Sequence, residues 1–275
     1  GLIVDRYEDG LVLQISSLGM DQRRAAIIGA LKTVCAPRFI VDRSDTASRK
    51  FEGLPESTGV LWGDDPGVMQ IRLNQLAFEI DLRAGHKTGL YLDQQVNYRR
   101  VAELAQGADV LDTFSFLGGF GLHAAKAGAK SVVGIDQSEE AVKAAAHNAA
   151  ANGVDAICRF EAANAFDWLK AQSAPGTPAQ PRFDLIILDP PSFTRTRAAV
   201  PDALRGYKEI HLRALRLLRP GGVLATFCCS HHVDARLFED VILSAAYDAR
   251  RVLRRVAIYS QGPDHPVIPS IPETE

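Results

Sequence analysis

Two adjacent cysteines follow a strand-like apolar segment near the carboxyl end of the chain. Cys228 and Cys229 lie in the sequence TFCCS at 226–230. A thiolate is an effective nucleophile toward an electron-poor ring carbon, so a thiol at the end of a strand is a candidate catalytic group. Neighbouring side chains of a strand point to opposite faces, so only one of the two thiols can face a substrate. Core packing is the alternative, and it is common for cysteine.

A second candidate group is the aspartate of the sequence LDPPS at 188–192, which follows further apolar residues. An aspartate at the carboxyl end of a buried strand lies in the ligand crevice of an open sheet. Asp189 is therefore a candidate catalytic residue. The two prolines straighten the chain beyond it and leave backbone carbonyls, beginning with that of Pro190, available to a substrate. A plain turn is the alternative.

A glycine-rich turn, DTFSFLGGFG at 112–121, follows the first strand of the same region. Such a turn lets a ligand approach the backbone, and the next helix then presents its N-terminus to the ligand. The spacing of Gly118 and Gly119 departs from GxGxxG, which disfavours an NAD oxidoreductase. Asp136 ends the next strand, where a carboxylate can accept hydrogen bonds from both ribose hydroxyls. Glycine turn and acid together predict an adenosine-type ligand, against the alternative of a purely structural turn.

The elements that must position these groups alternate between strand and helix. Strands are predicted at 109–114, 131–135, 184–188, 222–227 and 255–259. Helices are predicted at about 95–105, 120–127, 139–151, 203–218 and 234–246. This alternation favours an α/β fold with a Rossmann-like parallel sheet that is covered by helices on both faces.

The first part of the chain has a mixed pattern and no evident chemistry. Strands are predicted at 2–6, 11–16, 39–42 and 76–82, a helix at 21–34 and an irregular loop at 53–67. We therefore predict a small α+β domain over residues 1–84, followed by the catalytic domain over 85–275.

The composition is that of an ordinary globular protein, with 275 residues of which 47% are hydrophobic and 23% charged. A net charge of −2 excludes a wholly basic nucleic-acid clamp. No apolar run reaches the ~18 residues that cross a bilayer, so we expect no membrane contact. Four cysteines without a CxxC pair predict neither a metal site nor a disulfide framework, and favour the cytoplasm. The chain begins GLIV without an initiating methionine, so we expect further sequence upstream.

One stretch is locally basic. Residues 195–219 contain seven basic side chains and two acidic ones. Arg205 and Lys208 belong to this stretch, which could follow an RNA backbone. A solvated helix face is the alternative.

The ordered set of motifs is more specific than any one of them. GHKTGLYLDQ (85–94), DTFSFLGGF (112–120), GID (134–136), LDPPSF (188–193) and FCCS (227–230) together resemble class I S-adenosylmethionine-dependent methyltransferases. Within that class they most resemble the bacterial ribosomal RNA 5-methylcytosine methyltransferases of the RlmI type. The resemblance covers essentially the whole chain, including RGYK (205–208) and DHPV (264–267). It also implies an RNA-binding PUA domain before residue 1 and a final antiparallel strand after residue 275.

The resemblance implies a set of binding residues. It places S-adenosylmethionine against Asp112, Phe114, Gly118, Gly119, Asp136, Gln137, Asn164 and Asp189. Asn164 would hold the adenine amine, where the family tends to carry an acid pair. Ribosomal RNA would be contacted by Lys87, Tyr91, Pro190, Arg205 and Lys208.

The resemblance also assigns the chemistry. Cys229 would attack C6 of a cytosine, and C5 would then take the methyl group, while Cys228 would be a core residue. Asp189 would hydrogen-bond the edge of the ring and support protonation at N3. Two other classes stay open: a methyltransferase acting on a base nitrogen, in which Cys229 is incidental, and a noncatalytic RNA-binding assembly factor.

Overall fold

The chain folds into two compact units, Gly1–Leu92 and Asp93–Glu275. The computed structural model describes residues 1–83, 89–174, 182–194 and 196–271. The division between the units comes a few residues after the predicted boundary at residue 84. Within the described ranges, no helix combines the length and the apolar character that crossing a membrane requires.

The first unit is a four-stranded mixed sheet followed by a hairpin. Its strands are β1 (Leu2–Tyr7), β2 (Gly10–Ile15), β3 (Phe39–Ser44), β4 (Ser57–Gly63), β5 (Val68–Leu73) and β6 (Leu76–Asp81). Its helices are α1 (Leu18–Asp21), α2 (Arg24–Cys35) and α3 (Ala47–Phe51). The order β1-β2-β3-β4 has one parallel pair, β2 with β3, and α2 lies in the connection that this pair requires. The hairpin consists of β5 and β6.

One prediction for this unit is wrong. The segment 53–67 is not an irregular loop throughout, because β4 pairs along β3 in antiparallel register. The glycines and acids that suggested a loop lie at the ends of this strand, and its middle reads Val60-Leu-Trp62. The helix predicted at 21–34 is confirmed as α2, which begins three residues later, at Arg24, and ends at Cys35.

The second unit is built on five parallel strands among the described residues, in the order β11-β10-β7-β8-β9. These strands are β7 (Asp109–Thr113), β8 (Ser131–Asp136), β9 (Cys158–Ala162), β10 (Phe183–Leu188) and β11 (Leu218–Thr226). The helices are α4 (Gln95–Ala102), α5 (Gly119–Lys126), α6 (Glu139–Ala151), α7 (Ala165–Gln172), α8 (Val200–Leu217) and α9 (Ala235–Asp248). The predicted Rossmann-like α/β fold is confirmed.

The sheet differs from the predicted strands at its two sides. β9 is missing from the prediction because, as the last strand in the order, it is half-exposed and alternates charged with apolar residues. The predicted strand at 255–259 is wrong. That segment has no regular secondary structure and forms no ladder with any described strand, and Val256 and Ile258 are exposed. An apolar pattern without a neighbouring strand does not make a strand, because the backbone groups need partners.

Strand order determines where a ligand can bind. β7 pairs with β10 on one side and with β8 on the other, so the chain order reverses between β7 and β10. Open parallel sheets bind ligands beyond the carboxyl ends of the strands at such a reversal. At the opposite edge Arg219 bridges Asp109 and Asp184, at 3.0 and 2.5 Å, which ties together the starts of three strands.

Candidate active site

The glycine-rich turn connects β7 to α5 at the carboxyl edge of the sheet. Gly118 has φ +85°, in the left-handed region that favours glycine. A Cβ on Gly119 would lie 2.7 Å from a ring carbon of Tyr98. Neither position accepts a larger residue without rearrangement, because the side chains of Leu122 and Tyr98 already pack against these two glycines.

The same turn holds two aromatic residues in a strained backbone conformation. Phe114 has φ +62° and Phe116 has φ +47°, values that bulky residues rarely adopt. The Ser115 N–H donates to the Ile135 carbonyl at 3.0 Å, and the Phe116 N–H donates to Asp136 Oδ2 at 2.9 Å. Two hydrogen bonds to the end of β8 thus maintain the strained turn, which is the kind of strain found at functional sites.

Asp136 lies at the end of β8 and is partly exposed. Its Oδ2 accepts from Phe116, and its Oδ1 accepts from the Ser138 N–H at 2.9 Å. A carboxylate has about four acceptor positions, so two such bonds leave capacity for two more donors. The geometry therefore suits the predicted hydrogen bonds to a ribose diol.

Asp112 lies beneath the turn. The side chain is buried, and its Oδ2 accepts from the Gly121 N–H at 2.8 Å. Burial raises the pKa of Asp112 to about 8, and the charges of Asp189 and Asp136 add to the shift. Asp112 is thus mainly protonated at neutral pH, and in this position it holds the first turn of α5 instead of reaching toward a ligand.

The two cysteines have different surroundings. Cys229 is exposed, and its Sγ lies 3.7 Å from the carbonyl oxygen of Pro190. Cys228 is partly buried, packs against the core, and donates from its Sγ to the Tyr207 hydroxyl over 3.4 Å. Of the two, Cys229 is the more exposed, and it is the one next to Pro190 at the edge of the sheet where β10 ends.

Hydroxyl groups join the loops that follow β10 and β11. Ser230 Oγ lies 3.0 Å from Ser192 Oγ and 2.7 Å from the hydroxyl of Tyr207. Ser192 Oγ also donates to the Thr194 carbonyl at 2.7 Å. Burial raises the pKa of Tyr207, so its hydroxyl stays protonated. This group of hydroxyls keeps the backbone of the DPPS segment next to that of the CCS segment.

Aromatic rings complete the same connection. Phe193 packs on Tyr207 with ring centroids 4.5 Å apart, and it also contacts Phe166. Phe227, directly before the cysteines, stacks on Phe120 of α5 at 5.0 Å. The glycine-rich turn, the DPPS segment and the CCS segment are thereby packed into one site.

Comparison with known proteins identifies the family to which this chain is similar. A family model for S-adenosylmethionine-dependent methyltransferases matches residues 30–269. The Ribosomal RNA large subunit methyltransferase I of Aeromonas hydrophila is 42% identical over 99% of this chain and 68% of its own length. The protein of the same name from Vibrio parahaemolyticus is 39% identical over 99% and 69%.

The chain belongs to the S-adenosylmethionine-dependent methyltransferase family.

Solved structures agree with the fold. SMU.776 in its complex with SAH superposes with a TM-score of 0.84 at 21% identity, over 100% of this chain and 69% of that one. A SAM-dependent methyltransferase from Agrobacterium tumefaciens gives a TM-score of 0.64 at 17% identity, over 90% and 75%. The predicted family and the predicted cofactor, S-adenosylmethionine, are confirmed. The glycine-rich turn at Gly118 and Gly119 and the acceptor capacity of Asp136 fit this cofactor.

Other predicted cofactor residues of the methyltransferase have distinct positions. Gln137 is exposed next to Asp136. Asn164 is the N-cap of α7, and its Oδ1 accepts from the N–H groups of Phe166 and Asp167 at 2.9 and 3.4 Å. Because this oxygen caps the helix, the NH₂ group of Asn164 suits an adenine ring nitrogen better than it suits the adenine amine.

The predicted RNA contacts differ in their surroundings. Lys87 lies outside the described residues, and Tyr91 is a half-buried residue of the first unit. Arg205 is exposed and paired with Asp202. Lys208 Nζ lies 2.8 Å from an oxygen of Asp248. Since Arg219 lies at the opposite edge of the sheet, the basic stretch does not form one face.

Sequence reasoning missed the residues that support the methyltransferase site. Nothing in the local sequence distinguishes Tyr207 or Ser230 as a supporting residue, although the motifs RGYK and FCCS contain them. Gln94 reaches Asp189 from the motif GHKTGLYLDQ, at 3.2 Å from Nε2 to Oδ1. Only the fold brings these segments into contact.

We expect Asp136→Ala to weaken S-adenosylmethionine binding by roughly 1.5–3 kcal/mol, because a charged acceptor for the ribose hydroxyls is removed. Isothermal titration calorimetry measures this directly. Asp240→Ala, which removes an exposed aspartate of α9, is the matched control and should bind normally. An unchanged affinity in Asp136→Ala with unchanged thermal stability would exclude Asp136 from the binding site.

The raised pKa of Asp112 predicts a pH-dependent stability. The unfolded carboxyl ionises near pH 4, whereas the folded one keeps its proton until about pH 8. As pH rises from about 4 to about 8, Asp112 should therefore lower the free energy of unfolding by ~1 kcal/mol per pH unit. Asp112→Asn keeps an acceptor for Gly121 and should remove this dependence.

Urea unfolding at pH 5, 6 and 7 compares the wild type with Asp112→Asn, and with Asp155→Asn as an exposed control. The difference in unfolding free energy between the wild type and Asp112→Asn should change with pH in favour of the variant. Parallel pH profiles for all three proteins would show that Asp112 is ionised in the folded state.

Proposed function

We propose that this methyltransferase transfers a methyl group from S-adenosylmethionine to C5 of a cytosine in large-subunit ribosomal RNA, with Cys229 as the nucleophile. The main support is the position of Cys229 at the carboxyl edge of the sheet. The residue is exposed, and its Sγ lies 3.7 Å from the Pro190 carbonyl oxygen. The relatives named Ribosomal RNA large subunit methyltransferase I support the class of substrate. We also propose that the protein acts in the cytoplasm.

The chemistry requires a covalent step on the base. The Cys229 thiolate adds to C6, forming a C–S bond and making C5 nucleophilic. S-adenosylmethionine supplies the electrophilic methyl group that C5 takes, and its sulfur–methyl bond breaks to leave S-adenosylhomocysteine. Loss of the C5 proton and breaking of the C–S bond then restore the aromatic ring and release the thiolate. The target base must be flipped from its stack or lie in a single-stranded loop to reach Cys229.

Asp189 supports the attack from the edge of the ring. It directly follows β10, half-buried beside the buried Pro190, and shares its edge of the sheet with Cys229. A carboxyl group in this place can hydrogen-bond the amine and N3 edge of a cytosine and favour protonation at N3, which makes C6 more electrophilic. The Pro190 carbonyl lies close enough to Cys229 to accept from the thiol before attack.

The competing function is methyl transfer to a base nitrogen, which Asp189, Pro190 and their backbone carbonyls could support without a thiol. Cys229 distinguishes the two functions. A nitrogen methyltransferase has no use for an exposed thiol at this position, whereas attack at C6 requires one.

The decisive prediction is that Cys229→Ala abolishes C5 methylation while S-adenosylmethionine affinity stays nearly intact. Cys228→Ala is the matched control and should stay active, with ~1 kcal/mol of stability lost from packing. Methylated nucleosides of the RNA product are identified by mass spectrometry. Activity of Cys229→Ala at C5 would contradict the proposal, and an N-methylated base would establish the competing function.

A mechanism-based probe makes the same distinction. RNA that contains 5-fluorocytosine should become covalently trapped after methyl transfer, since fluorine cannot leave as the C5 proton does. Peptide mapping should locate the adduct on Cys229. An adduct on Cys228 would contradict the assignment, and the absence of any adduct alongside 5-methylcytosine formation on normal RNA would exclude a thiol nucleophile.

We further propose that Arg205 and Lys208 of α8 contact RNA phosphates. Both are partly or largely exposed, so a phosphate can compete for them with Asp202 and Asp248. Reversing both charges should reduce the slope of log affinity against log salt, by somewhat under one unit per lost contact. Lys143→Glu on α6, also exposed and beside a carboxylate, is the control. An unchanged slope in the double variant would show that this face is only solvated.

A further inference from the structure

Two polar side chains, those of Asn97 and Gln94, connect the backbone carbonyl of Ser260 to the carboxyl group of Asp189. We propose that Gln94 is a positioning residue that orients the carboxyl group of Asp189, and that Asn97 sets the orientation of the Gln94 amide. This inference rests on the proposed function, because it assigns Asp189 a directional hydrogen bond to the substrate base.

The contacts form one continuous path. Gln94 Nε2 donates to Asp189 Oδ1 at 3.2 Å. Asn97 Nδ2 donates to Gln94 Oε1 at 2.8 Å and to the backbone carbonyl of Ser260 at 3.2 Å. Asn97 is buried at 3% exposure, while Gln94 and Asp189 are half-buried. The path therefore runs from the interior outward to the site.

The direction of every hydrogen bond in this path is determined by its first member. A backbone carbonyl such as that of Ser260 can only accept, so Asn97 must turn its NH₂ group toward it. The same NH₂ group faces Gln94, which must then present its oxygen to Asn97 and its nitrogen to Asp189. An amide nitrogen can only donate, so Asp189 Oδ1 must accept. The amide of Gln94 thus cannot turn over without breaking a hydrogen bond at each end.

The hydrogen bond from Gln94 orients the Asp189 carboxyl group, which the backbone of Asp189 does not orient. The prolines after Asp189 restrict the main chain, but they do not set the rotation of the carboxyl group about its side-chain bonds. The hydrogen bond from Gln94 favours orientations of the carboxyl group that direct Oδ1 toward the amide nitrogen. A substrate base needs the carboxyl group in one orientation, since a positioned hydrogen bond contributes only when its geometry is already in place.

The test compares Gln94→Ala with Gln94→Glu and, as matched control, Gln95→Ala. Gln95 is the adjacent glutamine, and its Nε2 lies 2.5 Å from Asp264 on the surface. We expect Gln94→Ala to lower kcat for RNA methylation about tenfold or more, as for a lost hydrogen bond to a charged group. Its thermal midpoint should be unchanged. Gln95→Ala should keep normal kcat.

Gln94→Glu distinguishes a directional role from a structural one. Glutamate has nearly the shape of glutamine, so a residue that only fills space would be rescued by it. If Gln94 acts on Asp189, the glutamate instead places one carboxylate against another, and kcat should fall below that of Gln94→Ala. Asn97→Ala alone should lower kcat, and the double variant Asn97→Ala with Gln94→Ala should have the same kcat as Gln94→Ala.

The outcomes separate this inference from the proposed function. Suppose that the wild type forms 5-methylcytosine. A full kcat in Gln94→Ala, or a higher kcat in Gln94→Glu than in Gln94→Ala, then overturns the positioning role alone. An N-methylated product with a tenfold loss in Gln94→Ala overturns the C5 assignment and retains the positioning role. A wild type that does not methylate large-subunit ribosomal RNA overturns both.

Discussion

The parallel pairing of β7 with β10 is the constraint on which the site depends. Thr113 lies opposite Leu188 in this ladder, so the residues that follow them leave the sheet side by side. The Thr113 hydroxyl also donates to the Ile187 carbonyl at 2.8 Å, which adds a side-chain bond to the backbone ladder. Because the chain order reverses here, this is the point at which open parallel sheets bind ligands beyond the carboxyl ends of their strands. The cofactor turn follows one of the two strands and the DPPS segment follows the other.

The site combines strained and rigid parts. Phe114 and Phe116 hold a backbone conformation that costs energy, and the ladder of β8 and Asp136 supplies the bonds that maintain it. Asp112 adds a second cost, because burial keeps a carboxyl group neutral at physiological pH. Both features define the start of α5, the helix that follows the glycine-rich turn. Stability is thus exchanged for a preformed binding surface.

The nucleophile loop is positioned by contacts from other parts of the chain. Ser230 bonds to Ser192 after β10 and to Tyr207 of α8, while Phe227 stacks on Phe120 of α5. Cys229 belongs to a segment with little regular structure, so these contacts determine where its thiol lies relative to Pro190. A hydroxyl network whose members are satisfied rigidifies the segment that it holds.

The sequence by itself determined the fold class, the family and the two carboxyl-edge motifs, because alternating apolar segments and ordered motifs are local signals. It also indicated that the two cysteines differ, although the structure places both of them just beyond the end of β11 and not in the strand. Only the tertiary structure decided that Asp112 lies under the turn, that Lys208 is paired with Asp248, and that Gln94 reaches Asp189. Burial and contact between segments that are distant along the chain set those properties. The strand predicted at 255–259 shows the same limit, because a strand requires a neighbour that its own sequence cannot specify.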